Sequence, residues 1–303
     1  MNATPNLAAS VMARLLTRAK LRGDDYQLLV TAYAFERLLY RLGRSSVRDR
    51  FVLKGAMLLR LWSAQPYRAT RDLDLLRRGE ATFDAIRVDL EAILATPVPD
   101  DGITFDAAGL VLQPMQADDE YTGTRAILPA RCGNARLSLQ VDLGVGDAVW
   151  PEPVLRPYPA LLDAPAPEVL AYARETVVAE KLEALVVLGD RNSRIKDFFD
   201  LHFLATTFAF DRRELGESVR RTFERRGTPV PHAAPIGLTP AYWENRSRPT
   251  QVRAFSKRAG LAALPGNGSE FNAVLSAFLL PILADVAAGR ARDGAWAPGG
   301  PWA

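Results

Sequence analysis

Hydrophobic positions along this chain change their period from one segment to the next, and each change marks an element. Over residues 7–43, Leu15, Leu28, Leu29, Tyr33, Phe35, Leu38 and Leu39 fall near a 3.6-residue repeat, which predicts helix broken at Gly23. Phe51-Val52-Leu53 is a short apolar run, read as a strand that Lys54-Gly55 ends. Ala56 to Trp62 then has the pattern of a short helix, closed by Pro66. Asp72-Leu73-Asp74-Leu75 alternates polar with apolar and predicts a second strand. Phe83, Ile86, Leu90, Ile93 and Leu94 space out an amphipathic helix that stops at Pro97. Residues 100–135 pattern as β-hairpins with polar loops. Residues 137–143 alternate cleanly, with Leu137, Leu139, Val141 and Leu143 on one face and Ser138, Gln140 and Asp142 on the other.

Beyond this point the character changes. The stretch 151–167 carries Pro151, Pro153, Pro157, Pro159, Pro165 and Pro167 and reads as an interdomain connection. Helices are predicted over 176–188 and 195–208, followed by a basic helix through Arg226. Residues 227–250, rich in Gly and Pro, read as loop. A last apolar helix runs from about Phe271 to Ala288. The tail, Gly299-Gly300-Pro301-Trp302-Ala303, reads as disordered. The fold class is therefore α+β: an N-terminal domain, residues 1–165, with a mixed sheet flanked by helices, then a C-terminal helical domain, residues 166–303.

Composition narrows the class. With 48% hydrophobic and 24% charged residues the chain has the balance of a globular protein with a sizeable core. One cysteine, Cys132, excludes an internal disulfide framework and points to a reducing compartment. The first ten residues lack a secretory signal, and no apolar run approaches the roughly 20 residues that span a bilayer, so the expected location is the cytoplasm, away from membrane. A net charge of +3 and a pI near 9.1 neither demand nor exclude a nucleic-acid partner.

The chemistry lies in the carboxylates. Asp72 and Asp74 point to the same side of their strand, where two like charges repel unless a cation sits between them. Hard oxygen ligands suit Mg²⁺ (or Mn²⁺). Asp142 lies on the polar face of a second strand, and if the two strands are neighbours all three carboxylates converge. Such a set can hold two metal ions roughly 4 Å apart, the arrangement for in-line nucleotidyl transfer. Gly55, between a strand and a helix, lets a triphosphate approach the backbone, and Lys54, Arg68 and Arg71 lie beside that path. An isolated Asp-x-Asp is common on solvated strands; the ordered combination with Gly55 and Asp142 carries the inference.

The segments Phe51-Val52-Leu53-Lys54-Gly55 to Arg71-Asp72-Leu73-Asp74-Leu75, Leu139-Gln140-Val141-Asp142, Glu175 to Ala184 and Ser193 to Leu201 resemble the AbiEii/AbiGii nucleotidyltransferase toxins. These are MenT-like members of the DNA polymerase β-like superfamily. The resemblance spans about residues 50–205. It implies that Asp72 and Asp74 are catalytic metal ligands, that Lys181 is the family lysine, and that Lys196-Asp197 and Asp200 form its Lys-Asp-x-x-Asp motif. It further implies NTP as substrate, transfer to RNA such as the 3′ end of tRNA, and a cognate antitoxin, a winged-helix AbiEi-like protein. Ala56 stands where the family often has a second glycine or a serine. It supplies a backbone N–H but no hydroxyl.

Read from the residues alone, Lys181 sits on or beside the apolar face made by Val177, Val178, Leu182 and Leu185. There it is either a snorkelling side chain or an anion ligand. Asp197 and Asp200, three apart, flank one helix surface as dipole-favoured acids, as salt-bridge partners, or as groups orienting Lys181 or acting as a base. The expected site lies in the cleft between the domains. Transfer to a protein or small-molecule hydroxyl, and nucleotide binding without catalysis, are the rival readings. His202 and His232 have no partners at zinc spacing. The arginines at 212, 213, 220, 221, 225 and 226 interleave with Glu214, Glu217 and Glu224, which reads as a solvated ion-paired face or an RNA-phosphate surface. Tyr242, Trp243 and Phe255 read as packing residues or base-stacking platforms.

Overall fold

Side-chain caps define the first two helices. Asn6 accepts a hydrogen bond from the Ala9 amide and opens α1 (Leu7–Arg22); Asp25 accepts from the Leu28 amide and opens α2 (Tyr26–Arg44). Gly23 ends α1 with φ +70°, so the predicted break is a left-handed C-cap. The computed structural model describes residues 6–63, 70–115, 123–259 and 268–303; Pro66 and Arg68 lie outside the described residues. Described residues fall into two compact units, one formed by Met1–Gly146 with Val154–Ala171, the other by Asp147–Pro153 with Tyr172–Ala303.

In the first unit β1 (Phe51–Lys54) leads through Gly55 into α3 (Met57–Trp62). Then come β2 (Asp72–Arg77), α4 (Phe83–Leu94), β3 (Ile103–Phe105), β4 (Val111–Pro114), β5 (Thr124–Cys132), β6 (Ala135–Val145), β7 (Val154–Pro157) and β8 (Glu168–Ala171). The strands form one eight-stranded mixed sheet in the order β3-β5-β6-β2-β1-β8-β7, with β4 also paired to β5. The β2–β6 and β1–β8 pairs are parallel and the rest antiparallel. This is the predicted mixed sheet with flanking helices. The alternating apolar residues Leu73, Leu75, Leu139, Val141 and Leu143 are all buried, as are Tyr33, Phe35, Leu38 and Leu39 of α2, which packs on β6, β8 and α4. Each such side chain stabilises the fold by about 1.5–3 kcal/mol. The sheet thereby holds its strand register firmly, and the register places the site.

The second unit contains α5 (Arg174–Leu188), α6 (Ile195–Thr207), β9 (Phe210–Asp211), α7 (Arg212–Arg225), α8 (Pro240–Glu244), α9 (Arg248–Ala259), α10 (Gly268–Ala287) and β10 (Ala295–Trp296). It is mainly helical, as predicted. Two stretches fold differently from what their composition predicts, and a third folds as the expected helix but is more apolar than expected. The loop expected over 227–250 contains α8 and the start of α9. Pro240 sits in the first turn of α8, where its missing N–H is harmless, and Tyr242 and Trp243 are buried against Phe198. The tail is ordered: β10 pairs with β9, Trp302 stacks on Phe278 and donates its indole N–H to the Phe278 carbonyl at 2.9 Å, and the Ala295 amide donates to the Ala303 carbonyl at 3.0 Å. Two tryptophans thus outweigh the Gly-Pro composition. Finally, Glu270–Ala287 is long and apolar enough to cross a bilayer, against the expectation that no run approaches that length. In this fold Phe271, Leu275, Phe278, Leu279, Ile282 and Leu283 are buried in the unit's own core.

Candidate active site

Strand register assembles the carboxylates. β2 runs parallel to β6 with Asp72 opposite Gln140 and Asp74 opposite Asp142. Asp72, Asp74 and Asp142 each present an oxygen, and these three atoms lie within 4.8 Å of one another. A hard cation with bonds of about 2.1 Å spans at most ~4.2 Å between its oxygens, so the set closes onto such an ion with a small inward movement. Three oxygen donors and no nitrogen or sulfur donor fit Mg²⁺ or Mn²⁺ better than a softer metal. Asp142 is buried, while Asp72 and Asp74 are half-buried, so the cluster opens on one side.

The row containing Asp74 extends to both sides. On β1, Lys54 is directly opposite Asp74; on β5, Arg125 is directly opposite Asp142. Four strands thus carry Lys54, Asp74, Asp142 and Arg125 in one line, cations outside and carboxylates inside. Arg125 grips Asp142 with both arms, Nε donating to Oδ1 at 2.8 Å and Nη2 to Oδ2 at 2.9 Å. The Gln140 amide adds a bond to Asp142 Oδ2 at 3.1 Å, and the Thr70 hydroxyl donates to Asp72 Oδ1. The hydrogen bond to Asp142, joined by the charges of Asp72 and Asp74, holds the Arg125 guanidinium above its ordinary pKa. The sequence reading missed Arg125, yet the signal was present. The two-residue turn Gly133-Asn134 sets Cys132 opposite Ala135, and counting back along both strands brings Arg125 to Asp142.

Gly55 has φ +70°, and a Cβ there would overlap the Asp74 carboxylate and sit 2.7 Å from Asp74 Cβ. The close neighbour that requires glycine here is therefore Asp74 itself. Ala56 follows as the N-cap of α3 with no side-chain capping bond, and Arg71 is exposed just before β2. Lys54, Gly55 and Ala56 thus come together with the carboxylates at one end of β1 and β2.

In the helical unit the Lys181 ammonium lies 2.6 Å from Asp197 and 2.9 Å from Asp200. Lys181 is half-buried on α5, and Asp200 is wholly buried on α6. The basic helix is extensively ion-paired: Arg220 meets Glu217 and Glu224, Arg221 meets Glu217, Arg212 meets Asp285 and Arg213 meets Asp293. Just past its end, Arg226 bonds Glu183 at 2.6 Å. His202 stacks on Phe271, and burial lowers its pKa; burial pushes the Cys132 thiol up. Tyr242, Trp243 and Phe255 pack on Phe198 and Phe199.

A mixed sheet carrying acids on adjoining strands beside a strand-to-helix glycine defines a nucleotidyltransferase architecture. The family described as "Nucleotidyl transferase AbiEii toxin, Type IV TA system" matches residues 37–277, and the chain belongs to that family of nucleotidyltransferase toxins. Among solved structures it is similar to MenT4, a nucleotidyltransferase toxin from Mycobacterium tuberculosis H37Rv. The TM-score is 0.57 at 18% identity over 92% of this chain and 89% of that one, a likeness of fold. JHP933 from Helicobacter pylori is a more distant likeness, with a TM-score of 0.48 at 15% identity over 88% of this chain and 95% of that one. No curated protein matches the sequence.

Proposed function

We propose that this nucleotidyltransferase toxin moves a nucleoside monophosphate from an NTP onto RNA, at the 3′ end of tRNA, in the cytoplasm. A winged-helix antitoxin partner would restrain it. The observation that carries the transfer chemistry is the convergence of Asp72, Asp74 and Asp142 on adjoining strands next to Gly55. The RNA acceptor is supported by the family resemblance of the motif segments, and the antitoxin by the family's toxin–antitoxin character.

In this reading the hydroxyl oxygen of the acceptor attacks the α-phosphorus. The bond from that phosphorus to the bridging oxygen of the β-phosphate breaks, pyrophosphate leaves, and the hydroxyl's proton passes to water or to Asp197. Asp72, Asp74 and Asp142 would hold divalent metal, Mg²⁺ or Mn²⁺, which when bound would neutralise charge building on the phosphates. Lys54, Gly55, Ala56 and Arg71 line the nucleotide's phosphate path. Lys181 is assigned to phosphate binding, with Asp197 and Asp200 fixing its ammonium; Asp197 alternatively serves as base. Catalysis is positioning and charge neutralisation.

The test is incubation of the full chain with each α-labelled NTP, Mg²⁺ and total RNA, beside Asp72→Ala/Asp74→Ala and Asp74→Asn. Label in a tRNA-sized band, reduced on the order of 10²–10³-fold in the variants, is the expected result. Label in protein or in a small molecule would move the acceptor. NTP binding with no label anywhere would leave a nucleotide-binding module.

A further inference from the structure

The first unit contains a charged cavity lined by residues other than the three carboxylates. Its volume is about 330 Å³, and Arg18 and Arg22 of α1, Arg60 of α3, Ser63 and Leu161 line it. Three guanidinium groups thus share one small cavity. Among the described lining residues one carboxylate answers them, Asp24, which lies 3.7 Å from Arg22. The nearby Glu36 is wholly buried, lies 2.6 Å from Arg37 and accepts the Leu161 amide at 2.6 Å, and its charge offsets those of Arg22 and Arg60 on Arg18 only in part. Arg60 lies over the ring of Tyr158 at 6.0 Å.

Arg18 is the telling residue. Its Nη1 donates to the Leu161 carbonyl at 2.7 Å, but its Nε is buried and has no partner among the described residues. Burial, together with the charges of Arg22 and Arg60, lowers its pKa from the ordinary arginine value. An unpaired buried donor is destabilising, and three clustered cations add repulsion. An anion with several acceptor oxygens removes both defects at once. Guanidinium forks match the oxygen geometry of phosphate.

We propose that this cavity is a phosphate-binding site separate from the carboxylate centre. It does not rest on the nucleotidyl-transfer reading. α3 joins the two places: Gly55 precedes its start and Arg60 and Ser63 stand at its end. Six residues at 1.5 Å each give about 9 Å of helix between them. A phosphate held here is either free, as phosphate or pyrophosphate, or part of a polynucleotide backbone.

The experiment titrates inorganic pyrophosphate into the full chain, with chelator and without divalent metal, read by calorimetry. The expected result is binding to the wild type, weakened at least about fivefold by Arg22→Gln and by Arg60→Gln, and unchanged within about twofold in Asp72→Asn/Asp74→Asn. Arg18→Gln should weaken it most, and the exposed Arg22 and half-buried Arg60 keep the test decisive should that variant not fold. Wild-type affinity retained in both Arg22→Gln and Arg60→Gln, or no binding by the wild type at millimolar pyrophosphate, overturns the site. A short single-stranded RNA added without NTP separates the sources. Displacement of pyrophosphate by the RNA assigns a backbone phosphate; pyrophosphate retained assigns a free one. A failed transfer assay leaves each of these readouts intact.

Discussion

At the scale of single residues the site depends on a contact between Gly55 and Asp74. Gly55→Ala forces a Cβ into the Asp74 carboxylate at a backbone φ of +70°. The left-handed conformation alone costs an L-residue about 1–2 kcal/mol, and Asp74 must move as well. Urea unfolding should show that loss, and transfer should fall on the order of 100-fold because the carboxylate proposed as a metal ligand is displaced. A variant with wild-type activity would detach Gly55 from the chemistry. Arg125 gives a second test. It stands against Asp142 as a fixed cation, so Arg125→Gln leaves three close carboxylates with less compensation. Without divalent metal this variant should melt several degrees below the wild type, and Mg²⁺ should raise its melting temperature by more than it raises the wild type's. Equal shifts would mean that Arg125 does not balance the cluster. Asp72 and Asp74 were legible in the sequence because strand alternation alone puts them on one side. Arg125 was not read because its position follows from cross-strand register, which the Gly133-Asn134 turn fixes but the alternation within one strand does not.

Among elements, α7 shows how a charge pattern becomes structure. Asp211 caps it by accepting the Glu214 amide at 2.8 Å, and Glu217 then receives both Arg220 and Arg221. The hydrogen bond from Arg220, with the one from Arg221, brings the Glu217 carboxyl down to about 2. A depressed acid stabilises the folded state above its unfolded pKa, near 4.5, and that contribution disappears as pH falls from there towards 2. The group is solvent-screened, so the expected effect is on the order of 0.5–1 kcal/mol. Unfolding measured at steps across that window should fall less steeply in Glu217→Gln than in the wild type; parallel curves would remove the ion ladder's role. The sequence pattern of alternating Arg and Glu anticipated this face. Strong periodicity also gave α2, α4 and β6. Where composition misled, a few aromatic anchors decide the outcome. Tyr242 and Trp243 order a Gly- and Pro-rich stretch into α8, and Trp296 and Trp302 fix a tail that ends Gly-Gly-Pro-Trp-Ala. Long-range ring contacts of this kind leave no local period to read.

For the whole molecule the chain's path has consequences that a linear boundary does not express. Sequence patterning draws a division at 165, inside the proline-rich stretch. In the fold, residues Asp147–Pro153 belong to the helical unit, and Val154–Ala171 return to the sheet. β8 lies between β1 and β7, and its Val169 and Ala171 are buried. A fragment ending at 165 therefore exposes one edge of β1, strips β7 of its partner and removes two core side chains. A fragment ending at 171 keeps all three. The difference should be about 2–4 kcal/mol, from apolar burial and lost strand pairing. The same reasoning applies to the other unit. The Trp150 carbonyl accepts the Thr176 hydroxyl at 2.7 Å and the Ser218 hydroxyl at 2.8 Å, and Arg221 lies 4.1 Å from the Trp150 ring centre. A fragment of residues 147–303 retains these contacts; one of residues 172–303 loses them, at about 1 kcal/mol for each hydrogen bond. Thermal unfolding of the four fragments is the measurement. Residues 1–171 should melt cooperatively above 1–165, and 147–303 above 172–303. Should 1–165 and 172–303 melt as high as their longer counterparts, β8 and the Trp150 segment would contribute nothing to their units, and the division at 165 would stand as the physical one.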